Sequence, residues 1–153
     1  MRKILFRGKR KDNGEWVEGN VAYYCNYPDA VFITKRYIYP TKTYIVAPET
    51  VGQFTGLTDK SGTKIFEGDI VRYGDTIHEV VFEQRNGTAY FGLVYSEAET
   101  LPFGHYQDLR QIEVIGNIYD TPELLKGAMK PAATDVAQSG LAPATENFSL
   151  QEA

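Results

Sequence analysis

Cysteine is nearly missing from this chain: among 153 residues there is only Cys25. One thiol excludes an internal disulfide framework and a zinc site built on cysteines. Histidine is almost as scarce, with His78 and His105 alone. No apolar run approaches the roughly 20 residues that a membrane helix needs. The start, MRKILFRGKR, is positively charged but lacks the apolar stretch of a secretory signal. These absences lead us to expect a cytoplasmic protein without membrane contact. A phosphate loop ending in Gly-Lys-Ser/Thr is absent, and so is the alternating acidic pattern of a calcium loop. The formal net charge of −4 gives no global positive field to attract nucleic acid, although a local basic patch still could.

What the chain does have is aromatic residues, 13% of the total, with 11 Tyr and 8 Phe. Flat rings suit pleated strands. Asn13-Gly14 and Asn86-Gly87 each stand between strand-like runs, and Asn-Gly tolerates the positive φ angles of a type I′ hairpin turn. Ser61-Gly62 marks a looser third reversal. In HEVVFEQ, His78, Val80 and Phe82 share one face, opposite Glu79, Val81 and Glu83. DAVFITKRYIY and KTYIVAP read as two more strands, divided by Pro40. Strands recurring about every 8–12 residues indicate a small sandwich or barrel.

Helix is scarce. Thr121–Gly127, TPELLKG, carries a short-helix code: Thr121 to cap, Pro122 in the first turn, Glu123 at the positive end, Gly127 to stop. SEAET suggests a second helical turn. From residue 128 the sequence turns to Ala, Pro, Ser and Thr with little apolar periodicity, which predicts a flexible tail. The alternative is a docking peptide using Phe148 and Leu150.

The stretch TGLTDKSGTKIFEGDIVRY, residues 55–73, poses the sharpest choice between chemistry and architecture. Asp59, Glu67 and Asp69 show no regular ligand spacing, and Lys60 and Lys64 sit among them. The favoured reading is a turn motif of Gly62, Gly68 and Asp69. Gly68 supplies an unusual φ, Asp69 accepts backbone amides, and Ile70 and Val71 begin a strand.

Three segments in order, FRGKRKDNGEWVEG, ETVGQFTGLTDKSGTKIFEGDIVRY and IEVIGNIYDTPELL, resemble the YopX-like family of bacteriophage and prophage proteins over about residues 1–126. The resemblance implies a mainly β fold whose later part is an SH3-type β-barrel, and with the residue reading it divides the chain into a small antiparallel β region (1–50), the barrel (51–120) and a short helix (121–127), with the tail (128–153) outside the resemblance. It implies a phage or prophage origin, and so the cytoplasm of a bacterial host. It brings no established activity, catalytic residue or cofactor, and the tail departs from the family's usual early stop after PELL.

No catalytic set emerges from the residues. Cys25 is expected to be a buried thiol. His78 reads as a packed or rim histidine, and His105 beside Asp108 is the slender basis for an acid–base enzyme. We therefore expect no enzyme, no metal and no cofactor. The binding candidates are basic and aromatic: Arg7, Lys9, Arg10 and Lys11 at the first hairpin, Trp16 after it, and Lys35, Tyr37, Tyr39, Lys42 and Tyr44 further on. Phosphate contacts combined with stacking would suit a single strand. Edge-strand lysines that discourage aggregation, and tyrosines packed across strands, are the plain alternative. The leading expectation is a non-enzymatic phage accessory protein that binds a macromolecular partner or itself, as a homo-oligomer. Nucleic-acid binding and sequestration of a small nucleotide ligand in host-defence evasion stand as alternatives.

Overall fold

Eleven strands form two antiparallel sheets in a computed structural model that describes residues 1–35, 39–105 and 108–128. The first sheet holds β1 (Phe6–Lys9), β2 (Trp16–Ala22), β3 (Val31–Lys35), β4 (Lys42–Val46), β5 (Gly52–Thr58) and β6 (Lys64–Phe66), in the order β4-β3-β2-β1-β5-β6. The second holds β7 (Asp69–Tyr73), β8 (Thr76–Arg85), β9 (Thr88–Ser96), β10 (Glu99–Pro102) and β11 (Ile112–Asn117), in the order β10-β9-β8-β7-β11. One helix, α1 (Glu123–Ala128), follows. The fold is mainly β with a short C-terminal helix, as expected. Beyond Ala128, the expected tail lies outside the described residues.

The turns show why local sequence was a fair guide. Asn86 and Gly87 both have positive φ, 51° and 77°, between the paired residues Arg85 and Thr88. That is the type I′ geometry expected of Asn-Gly. The Asn13-Gly14 turn departs from it. Only Gly14 is at positive φ, and a four-residue loop separates Arg10 from Glu15. The Asn13 side chain accepts the Glu15 amide at 3.0 Å, an Asx turn that replaces the tight reversal. SEAET is no helix but the reversal between β9 and β10.

The second sheet does not close into the expected SH3-type barrel. Its end strands, β10 and β11, are not joined by any ladder among the described residues. The outer edge of β11 is occupied by the β5–β6 turn instead. There Val114 N donates to Asp59 Oδ2 at 3.0 Å and Lys60 N to the Ile112 carbonyl at 2.9 Å. In the first sheet, β4 curls back to the end of β1. Arg10 bridges Val46, Lys11 N donates to Ile45 O, and Ala47 N donates to Lys9 O.

Each sheet has its own core. Val17, Val31, Ile33 and Val46 pack inside the curl of the first. Ile65, Val71, Val80, Leu93 and Ile112 form the second. Ile65 lies on β6, so the β5–β6 hairpin is hydrogen-bonded to the first sheet and packs into the second core. The passage from one sheet to the other is made at Gly68, whose φ is +85° and whose missing Cβ leaves room for the Tyr119 ring.

Candidate binding surface

The basic and aromatic residues of the first hairpin separate into two places. Arg7, Lys9 and Trp16 face the second sheet and hold it. Arg7 Nη2 lies 2.6 Å from Asp69 Oδ1, and the guanidinium sits between the rings of Trp16 (4.6 Å) and Phe66 (4.8 Å). Arg7 Nε and Nη2 are buried without a well-aligned hydrogen bond, so charge and ring contact hold this cation rather than donor geometry. Asp69 is 1% exposed and its Oδ2 accepts the Phe66 amide at 2.7 Å. Burial pushes its carboxyl up, against the opposing pull of Arg7 and that amide.

Asp120 makes the second tie. It accepts Lys9 Nζ at 2.5 Å, Trp16 Nε1 at 2.7 Å and Asn117 Nδ2 at 3.0 Å. The Lys9 bond, then those from Asn117 and Trp16, hold its carboxyl down at about 2. Tyr119 adds a ring contact to Trp16 at 5.8 Å between centroids.

Arg10, Lys35, Lys42 and Tyr44 gather elsewhere, at the open end of the first sheet beyond its Val/Ile core. Lys35 and Lys42 are cross-strand partners. The Tyr44 ring has Arg10 Cζ 4.4 Å from its centre and Lys35 Nζ 5.7 Å from it. Lys11 stands beside them, where Lys11, Asp12, Thr43, Tyr44 and Ile45 line a shallow pocket of about 360 Å³. Arg10 is already paired with Asp12 and Glu15. Lys11, Lys35 and Lys42 have no carboxylate partner among the described residues. Tyr39 is fully exposed, and Tyr37 lies outside the described residues.

The other face of the same strands is aromatic. Phe32 and Ile45 are cross-strand partners that point away from the core. Tyr24 meets the Phe32 ring edge-on at 4.9 Å, and Tyr27 meets it at 6.0 Å. Tyr24, Tyr27 and Ile45 are exposed. Beside this platform, Thr34 and Thr43 hydroxyls share a hydrogen bond of 3.0 Å.

Cys25 lies between Tyr24 and Tyr27 and is exposed, a correction to the buried thiol expected. The loop there carries it outside both cores. His78 is packed: its Nδ1 is 2.9 Å from Val94 O, its Nε2 2.8 Å from Thr76 Oγ1, and its ring stacks near Tyr95. In the motif of residues 55–73, Gly62 has φ +81° and Asp59 Oδ1 accepts the Ser61 and Thr63 amides. Among the described residues no three His, Cys, Asp or Glu side chains are grouped to hold a metal ion, and no helix is long and apolar enough to cross a membrane.

A family model described as YopX protein matches residues 5–126, from just before β1 into α1. The chain belongs to the YopX protein family. Both sheets and the Asp69 and Asp120 ties fall within the YopX match. The crystal structure of protein EF1440 from Enterococcus faecalis is similar to this YopX chain at 26% identity and a TM-score of 0.48, covering 82% of this chain and 99% of that one. No curated protein matches.

Sequence reading named the lysines and Tyr44 but missed the platform of Tyr24, Tyr27, Phe32 and Ile45. Two signals could have found it. Phe32 and Thr34 alternate against Val31 and Ile33, which fixes an outer face. Charge is also divided along this YopX chain. Residues 1–50 carry nine Lys/Arg against five Asp/Glu, and residues 51–153 carry seven against fifteen. Such asymmetry singles out the first part of the chain as its basic part.

Proposed function

We propose that this YopX-family chain is a non-enzymatic binding module that takes an anionic macromolecular partner on the open end of its first sheet. The observation that carries the reading is the cluster of Lys11, Lys35 and Lys42 around Tyr44, three lysines with no carboxylate partner among the described residues. Arg7, Lys9 and Trp16, held against Asp69 and Asp120, are not part of that surface. A phage or prophage origin and a place in the bacterial cytoplasm belong to the same proposal. So does a finer SH3-type kinship of the second sheet, which its strand order and the 3-10 turn Leu109–Gln111 before β11 support.

The test is retention on an immobilised polyanion such as heparin. Reversing Lys11, Lys35 and Lys42 to Glu should move elution to distinctly lower salt. Reversing Lys60, already paired with Glu113, should change it far less. Equal elution of the wild-type chain and the triple variant would refute the reading.

A further inference from the structure

We infer that the outer aromatic face of β3 and β4 is the docking site for a segment of this same chain, ENFSLQE at residues 146–152, with Phe148 and Leu150 as its anchors. The face lies opposite the one that carries Lys35, Lys42 and Tyr44. The inference therefore goes beyond the anion-binding reading and does not rest on it.

Strand register builds the face. Ala22, Phe32 and Ile45 stand side by side across β2, β3 and β4, and Asn20, Thr34 and Thr43 form the polar row beside them. Val31, Ile33 and Val46 alternate with these residues and point into the core, so the row points away from it. Tyr24 and Tyr27 set their rings edge-on to Phe32. Tyr24, Tyr27 and Ile45 are 48%, 61% and 47% exposed. Single exposed rings are ordinary, whereas large apolar side chains gathered in one patch mark an interaction site. At the rim of the patch, Lys11, Thr43 and Ile45 contribute to the shallow pocket of about 360 Å³.

The chain carries a segment that fits this face. Beyond Ala128, where α1 ends, large apolar residues stand singly except at Phe148 and Leu150. Two positions apart, these two fall on one side of an extended segment, with Asn147, Ser149 and Gln151 on the other. Their spacing along such a segment is about 6–7 Å. The rings of Tyr24 and Tyr27 stand 4.9 and 6.0 Å from that of Phe32, a similar spacing. Phe148 lies 20 positions beyond Ala128, a tether that spans at most about 66 Å. A folded body of this size is about 36 Å across, and half its circumference is under about 60 Å, so the platform is within reach wherever α1 stands. Such a tether also presents its end at an effective concentration of about millimolar, which favours the segment's own chain over a second copy in dilute solution. Glu146 and Glu152 flank the anchors, and Lys11 at the rim has no carboxylate partner among the described residues.

Cys25 supplies the readout, since it lies between Tyr24 and Tyr27 on the face to be covered. The experiment is the rate at which its thiol reacts with iodoacetamide, a neutral reagent, in the full chain. Changing both Phe148 and Leu150 to Ala keeps the tether and its charges. It should speed the reaction about fivefold, because the thiol reacts mainly in the undocked fraction. Ile45→Glu, at an exposed position of the platform, should speed it to a similar extent. A synthetic peptide of residues 144–153 should slow the reaction of the Phe148/Leu150 variant and leave that of the Ile45 variant unchanged. Lys11→Glu should give a smaller rise that shrinks as salt screens the charge.

Protein concentration separates the occupants. Protection that is unchanged across about a hundredfold dilution supports docking on the same chain. Protection that fades on dilution assigns the face to a second copy and overturns the inference. If the wild-type chain and the Phe148/Leu150 variant react at the same rate, the segment does not cover the face and the inference falls. Near-UV circular dichroism checks the fold of each variant. Should Ile45→Glu fail that check, the Phe148/Leu150 variant and the peptide still decide, because neither alters the two sheets.

Discussion

The two sheets differ in how many of their cations are paired. In the second, the side chains of Arg72, Arg85 and Arg110 are each paired with a carboxylate of the same sheet or its loops. In the first, Lys11, Lys35 and Lys42 have no carboxylate partner among the described residues, and the aromatic rings of Tyr24 and Tyr27 are exposed. A surface whose charges are satisfied at home has little to offer a partner. The contrast supports the proposed binding role of the first sheet. Other cations of the first sheet are paired: Arg10 with Asp12 and Glu15, Lys64 with Glu18, and Arg7 and Lys9 with Asp69 and Asp120 of the acidic part of the chain.

The most forceful way to break this arrangement is at Arg7. Arg7→Ala leaves Asp69 buried without its cation and empties the space between Trp16 and Phe66. Removing one partner of a buried pair costs about 3–5 kcal/mol. Urea unfolding followed by Trp16 fluorescence would measure it. The loss should also depend on pH in a particular sense. Burial already raises the folded-state pKa of Asp69 above its unfolded value, and losing Arg7 raises it further. The folded variant then binds more protons than its unfolded chain, so its stability falls as pH rises through that window. The deficit against the wild-type chain should be greatest near neutrality and shrink in acid, where a protonated Asp69 needs no cation. A deficit that grows in acid would show that the ring contacts, not the charge, hold Arg7 in place.

How much of this was legible beforehand follows from the range of the interactions. The Asn86-Gly87 hairpin was readable because its geometry is set by two adjacent residues. The faces of β8 were readable for the same reason, since alternation is local. The role of Arg7 was not. It was read as part of a basic patch because Lys9, Arg10 and Lys11 follow it, but its partner Asp69 lies 62 positions away and is reached only when the two sheets meet. Asp120, bonded to both Lys9 and Trp16, was hidden in the same way. The expected barrel failed to close for a similarly distant reason: the Asp59 carboxylate, at a turn of the first sheet, engages Val114 on the edge strand of the second.

Asp120 gives a smaller and cleaner test of the same contact between sheets. Its carboxyl is held at about 2, against 3.8 for the ordinary group. A carboxyl depressed in the folded state contributes stability above its unfolded value and loses it as pH falls. Its contribution should be complete above about pH 4 and vanish as the pH approaches 2. The side chain is 37% exposed, so solvent screening reduces the effect to about 1 kcal/mol. Asp120→Asn should lose that amount at pH 7 and flatten the wild-type fall in stability across this acid range. An unchanged acid profile would mean that Asp120 orients the segment before α1 without stabilising the fold.

The smallest expected effect sharpens the comparison most. Lys35→Gln and Lys42→Gln should alter unfolding free energy by no more than about 0.5 kcal/mol, because neither lysine has a carboxylate partner among the described residues. The two lysines face each other across β3 and β4, and like charges directly opposite oppose pairing. The double variant should accordingly be slightly more stable than the wild-type chain, with the gain fading as salt screens the repulsion. Chemical unfolding at low and high ionic strength would read this. A protein that keeps two opposed cations at a small cost in stability has a use for them outside its own fold. If the double variant were instead clearly destabilised, those lysines would be structural, and the first sheet would resemble the second after all.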